Sequence, residues 1–152
     1  MANYEDHAFF PLGDDKRYHI DIKVLRADNS CMQPVQCMNP VHILADPGAD
    51  VTLLTNEEAK RLGYNLDMIY DQFPVAGING QPNEFKQIDT WIQIGNMAPI
   101  FAPIGLAATS GGLYENLLGN KGLIGSGKIT AHYDAKGVGY TTGMKAQMAG
   151  LI

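Results

Sequence analysis

The sequence predicts an all-β domain, and three observations predict it. Residues 18–25 read Y-H-I-D-I-K-V-L, with Ile20, Ile22 and Val24 alternating with polar neighbours at the period of two of a half-buried strand. Strand-like stretches recur at 33–37, 41–45, 51–54, 71–76, 84–94 and 128–133, separated by Gly, Pro, Asn and Asp rather than by long helical patterns. A single stretch carries helix punctuation. Thr55-Asn56-Glu57-Glu58 is a capping-box pattern and Gly63 stands where a C-terminal cap belongs, which together predict one short helix over 56–62.

Taken in order, strand 18–25 turns at Asp28-Asn29-Ser30 into strands 33–37 and 41–45, and 51–54 follows a tight loop. In the predicted helix Ala59 and Leu62 face inward, while Lys60 and Arg61 stay in water. Gly77, Gly80 and Pro82 punctuate the stretch between strands 71–76 and 84–94, the pattern of a long hairpin. Residues 98–112, rich in Pro, Ala and Gly, read as a strand and a loop anchored by Ile100, Phe101, Ile104 and Leu106. A strand end and a helical turn follow at 116–123, and 128–133 is a β-rich terminal strand. The glycines at 137, 139, 143 and 150 predict a loose or separately paired tail.

The 152 residues suit one domain, and 45% hydrophobic with 18% charged residues is the profile of a chain that folds. A net charge of −5 without a basic stripe argues against nucleic acid as a partner. No apolar run approaches the ~20 residues that span a bilayer, and the acidic start M-A-N-Y-E-D-H is unlike a signal peptide, so no membrane partner is expected. The expectation is an intracellular (cytoplasmic) or virion-internal protein. Cys31 and Cys37, the two cysteines, are expected as free thiols in that setting. With His42 they match no zinc spacing, and neither a metal nor another cofactor is expected.

The most informative stretch is 41–54, V-H-I-L-A-D-P-G-A-D-V-T-L-L, where an apolar strand delivers one carboxylate, Asp46, onto a tight loop and an apolar run resumes. Asp-Pro-Gly-Ala by itself is equally a plain turn. Farther on, N-L-L-G-N-K-G-L runs over 116–123, and V-A-G-I-N-G over 75–80 lies between the two.

In this order the motifs resemble the retroviral-type aspartic proteases, the retropepsins, over residues 18–134. That resemblance implies a retropepsin-like acid protease barrel with one or two short helices, forming half of a two-fold dimer. Residues 1–17 and 135–152 would be N- and C-terminal extensions. It also implies a homodimeric aspartic endopeptidase acting on polypeptide, released from a polyprotein if viral. One Asp cannot act as both base and acid, so Asp46 would meet its mate from an identical subunit, sharing one proton and activating water. Gly48 and Ala49 match the substrate-contacting loop, and Asp50 matches the acid that contacts substrate main chain or braces the dimer. Gly77, Ile78 and Asn79, with Gly80, match the tip of a flap that pairs with an extended peptide. Leu117, Leu118 and Gly119 match the segment beneath the active loop, with Leu118 as a pocket wall.

Two positions depart from the family pattern. Pro47 stands where the family has Thr or Ser, whose hydroxyl and amide clamp the two active loops together across the dimer axis; proline has neither. Asn120 stands where many viral enzymes have an Arg paired with the acid at the position of Asp50. These departures keep open an alternative, a catalytically weakened or inactive dimer serving as a peptide-binding or assembly module. An unrelated barrel in which Asp46 only makes a turn is the third reading.

Overall fold

A computed structural model describes residues 4–27, 34–75, 83–124 and 128–142. Ten strands and one α-helix follow in the order β1 (His7–Pro11), β2 (His19–Leu25), β3 (Met38–Ala45), β4 (Thr52–Leu54), α1 (Asn56–Arg61), β5 (Gln72–Val75), β6 (Asn83–Ile94), β7 (Ile100–Ala107), β8 (Leu117–Leu118), β9 (Ile129–Tyr133) and β10 (Gly137–Thr142).

Seven strands form one sheet in the order β2-β3-β8-β4-β7-β6-β5, and a further pairing of β2 with β6 closes it into a barrel. Alternation in β2 decides which side faces in. Ile20, Ile22 and Val24 are buried while Asp21 and Lys23 are exposed, and Ile22 lies opposite Val41 on β3 and Ile94 on β6. Ile43, Ile92, Ile104 and Leu106 join them in one core. Each such side chain contributes about 1.5–3 kcal/mol of transfer free energy on burial.

Most of this sheet is antiparallel, but β3 runs parallel to β8 and β4 parallel to β7. Two parallel pairs in a chain without long helices require crossover connections, and here the strands on either side of Asp46 each take part in one. The loop at 46–51 therefore leaves one parallel pair and enters the other.

The helix forms as its punctuation predicts. Thr55 caps it, accepting from the Glu58 amide at 3.1 Å, and Gly63 at φ 88° takes the left-handed position beyond its end. The reciprocal half of the box is replaced: the Thr55 amide donates to the Asn116 side chain at 2.9 Å, and Glu58 instead pairs with Arg61.

Two expectations are corrected. Residues Pro34–Cys37 form a 3₁₀ turn rather than a strand, because proline offers no N–H to a ladder and presets the φ of a tight helical start; β3 begins only at Met38. Cys37 is disulfide-bonded rather than a free thiol.

The ends of the described chain also pair. Strand β10 lies between β1 and β9 in a three-stranded antiparallel sheet, burying Val138 and Tyr140. Gly137 is obligatory there, since a Cβ on it would sit 2.2 Å from the Phe10 carbonyl oxygen.

Candidate active site

Asp46 is the first residue past β3, half-buried, with Pro47 and Gly48 exposed beside it. Its carboxylate is oriented locally: the Gly48 amide donates to Oδ1 at 2.9 Å, and the Ala49 amide closes a turn onto the Asp46 carbonyl at 3.1 Å. Pro47 is the second residue of that turn, the position where a fixed φ helps most and no N–H is needed. Among the described residues, no hydrogen bond to Asp46 Oδ2 is made, which leaves that oxygen for a water or a second carboxyl group.

The segment after β8 holds the loop from below. The Asp46 amide donates to the Leu118 carbonyl at 3.2 Å, the Asn120 amide to Ala49 at 3.1 Å and the Lys121 amide to Asp50 at 2.7 Å. Asn120 Nδ2 adds a bond to the Pro47 carbonyl at 3.1 Å. Gly119 passes so close to the loop that a Cβ would lie 2.4 Å from the Val51 carbonyl carbon, and its amide donates to the buried Thr52 hydroxyl at 3.0 Å.

Behind the loop stands a tyrosine cluster. The Ala45 amide donates to the Tyr18 carbonyl, the Tyr18 hydroxyl to the Asp134 carbonyl, and the Tyr18 and Tyr133 rings meet edge to face at 5.0 Å. Burial raises the Tyr133 phenol above its usual range, and the negative charge of Asp46 adds to the rise. Arg17, held in a bidentate pair with Glu115, is raised first by that pair and further by Asp46. A carboxylate, a guanidinium and a phenol thus share one electrostatic neighbourhood.

Of the residues singled out in the sequence, Asp46, Gly48, Ala49 and Asp50 fall together on this loop, with Asp50 exposed. Leu118 lies directly beneath as a core residue, 2% exposed. Gly77, Ile78, Asn79 and Gly80 lie outside the described residues. The stem that leads to them is present, with β5 and β6 antiparallel and Val75 opposite Asn83.

Sequence reasoning gave no role to Asn116, which proves to be a tether: its Nδ2 donates to the His42 carbonyl, its Oδ1 receives Thr55 N–H, and its carbonyl receives Leu44 N–H. An Asn standing directly ahead of the Leu117-Leu118 strand is the available signal. The Asn120 bond to Pro47 was hidden behind the comparison with Arg.

A closed barrel with two parallel strand pairs crossing at an Asp-bearing loop defines a retropepsin-like fold. A solved structure described as a retropepsin-like aspartic protease from Rickettsia conorii superposes with a TM-score of 0.66, covering 93% of this chain and 97% of that one at 18% identity. No protein-family model matches the sequence, and no curated protein matches it.

Proposed function

We propose that the chain is one half of a homodimeric aspartic endopeptidase, with Asp46 of each subunit forming the dyad. The observation that carries this reading is the Asp46 loop itself: one carboxylate at the mouth of a retropepsin-like barrel, oriented by Gly48 N–H and pinned by the strand behind it. In the dyad the two carboxyl groups lie roughly 3 Å apart and hold one proton between them. The ionised Asp46 takes a proton from water, which attacks the scissile carbonyl, and the protonated Asp46 supplies the proton that the carbonyl oxygen or leaving nitrogen needs.

An extended polypeptide runs along the exposed loop from Gly48 to Asp50, and the hairpin tip at Gly77, Ile78 and Asn79 pairs with its backbone from above. Arg17, its charge met by the bidentate pair with Glu115, lies within the field of Asp46. No helix among the described residues is long and apolar enough to cross a membrane.

The test is cleavage of a denatured protein across about pH 4 to 7, where a shared-proton dyad titrates, beside Asp46→Asn. Proteolysis that stops in the variant, with circular dichroism unchanged, supports the dyad; cleavage retained by the variant refutes it. Pro47, which removes a hydroxyl and an amide from the dimer axis, favours a second reading in which the dimer binds peptide without cutting it. A pepstatin-type inhibitor that binds the wild-type chain in the absence of any turnover would select that reading.

A further inference from the structure

The small sheet of order β1-β10-β9 has its strand orientations fixed by three bonds. Asp134 N–H donates to the Gly137 carbonyl, Leu12 N–H to the Lys136 carbonyl and Thr142 N–H to the Asp6 carbonyl. Antiparallel ladders alternate bonded with non-bonded pairs. With Val138 opposite Tyr133 on one side and Phe10 on the other, the main-chain groups of Val138, Tyr140 and Thr142 point to β1, and those of Thr130 and His132 point to β10. Ile129, Ala131 and Tyr133 therefore turn their N–H and C=O groups to the opposite side of β9. The Ile129 amide reaches the Leu123 carbonyl at 3.3 Å, but among the described residues the main chains of Ala131 and Tyr133 make no hydrogen bond.

Open edges are ordinarily blunted by proline, by charge or by a bulge. Strand β5, at the end of the barrel sheet, carries Pro74. Strand β9 reads I-T-A-H-Y, with no proline, lysine or carboxylate, and its ladder to β10 runs without a bulge. Its β-branched and aromatic residues favour further pairing. The edge also lies beside the candidate site. The Tyr133 ring meets Tyr18, whose carbonyl holds the amide of Ala45, one residue before Asp46. The Tyr133 phenol, raised first by burial, is raised further by the charge of Asp46. An axis that joins two Asp46 loops thus brings two β9 edges toward each other, and identical strands related by a two-fold axis pair antiparallel, so one edge serves both copies.

We infer that a second copy of the chain adds along the free edge of β9, giving one continuous sheet of order β1-β10-β9-β9-β10-β1 in which no strand is exchanged. Strand β10 already fills the place between β1 and β9 from within the same chain, so each half is complete before association and only the outward groups of Ala131 and Tyr133 await a partner. The inference rests on the homodimer reading of the Asp46 loop and names the surface that joins the halves.

The experiment is amide hydrogen exchange of the full-length chain, read residue by residue by NMR beside sedimentation over one dilution series, and it needs no substrate. The Ala131 and Tyr133 amides should exchange freely in the dilute monomer and slow by about tenfold or more as the dimer forms, while the amides of Val138, Tyr140 and Thr142, bonded to β1 of the same chain, stay protected at every dilution. Ala131→Pro deletes one edge amide without touching the β9–β10 ladder. It should weaken the dimer by about tenfold or more, since the two-fold axis repeats the lost bond; Ala131→Ser, which keeps the amide, should not. A dimer whose Ala131 and Tyr133 amides stay fast overturns the β9 edge and leaves the homodimer reading standing. Protection of Val138, Tyr140 and Thr142 that is lost on dilution of a folded chain shows exchanged strands and overturns the closed half. A chain that stays monomeric at every concentration overturns the inference together with the homodimer reading.

Discussion

Gly119→Ala is the substitution whose effect follows most directly from the coordinates. The added methyl would lie 2.4, 2.5 and 2.7 Å from the carbonyl carbon, oxygen and nitrogen of Val51. Carbon contacts are most favourable near 3.5–4.0 Å, so the two backbones must part by about 1 Å. No side chain can swing away to absorb this, because the atoms met are main chain. Overpacking of this kind costs about 1–3 kcal/mol. The separation also stretches the bonds that cross the same gap: Gly119 N–H to Thr52, Asn120 N–H to Ala49 and Lys121 N–H to Asp50. Each is worth about 1 kcal/mol net, while stiffening the unfolded chain returns less than about 1 kcal/mol.

A net loss of about 3–5 kcal/mol is therefore expected, which for a chain of this size lowers Tm by on the order of 10 °C. Thermal and urea unfolding followed by circular dichroism measure it. Gly112→Ala is the control, since that buried glycine's nearest neighbour to a new Cβ is Asn83 Oδ1 at 3.4 Å, an ordinary contact. If Gly119→Ala unfolds within about 2 °C of the wild-type chain, a shift that small means under ~1 kcal/mol, and the close crossing of the two loops is wrong.

Three further outcomes are expected. Asn120→Ala removes the side-chain bond to the Pro47 carbonyl while leaving the backbone bonds of the segment; it should cost about 1 kcal/mol of stability by urea unfolding, yet lower kcat by tenfold or more, since misplaced catalytic groups are costly in rate. Asn116→Ala leaves Thr55 N–H without its acceptor and frees the His42 carbonyl; a loss of about 2–3 kcal/mol in urea unfolding is expected, and a loss under about 0.5 kcal/mol would show the tether to be idle. Pro47→Thr restores a hydroxyl and an amide at the surface of the loop, so sedimentation across a dilution series should show a dimer tightened about fivefold for each inter-subunit bond recovered, at about 1 kcal/mol each.

How far the sequence could be read depended on whether a feature was local. The cap at Thr55, the alternation in β2 and the strand entering Asp46 are each set by neighbours within a few residues, and each is found where the pattern predicts it. Strand β10 was read only as a loose or separately paired tail because its glycines, needed where Gly137 passes Phe10, are the residues that lower strand propensity. Strand β1 was hidden by its brevity and by Pro11 at its end. Asn116, Asn120 and the His19–His42 pair acquire partners only when β2, β3, β4 and β8 are brought together, with separations along the chain of 23 to 74 residues in their bonds. No pattern of neighbours encodes such contacts.

Pro47 departs from the pattern of the retropepsins that the sequence resembles, and the turn around it is closed within the chain. Here the turn from Asp46 to Ala49 closes on itself, proline fixes its second residue without leaving a donor, and the Pro47 carbonyl is taken by Asn120 of the same chain. The loop is thereby completed within one subunit. Asn120 supplies from below, in the proposed dimer, a restraint that Pro47 cannot take from across the axis. In the proposed dimer, association then has only to bring two finished carboxylate loops together, and the geometry of each Asp46 survives dilution even when the dyad does not. Asn120→Ala should for that reason impair Pro47-bearing chains more than Pro47→Thr chains, and a double-mutant cycle on kcat with no coupling between the two positions would break the pairing argued here.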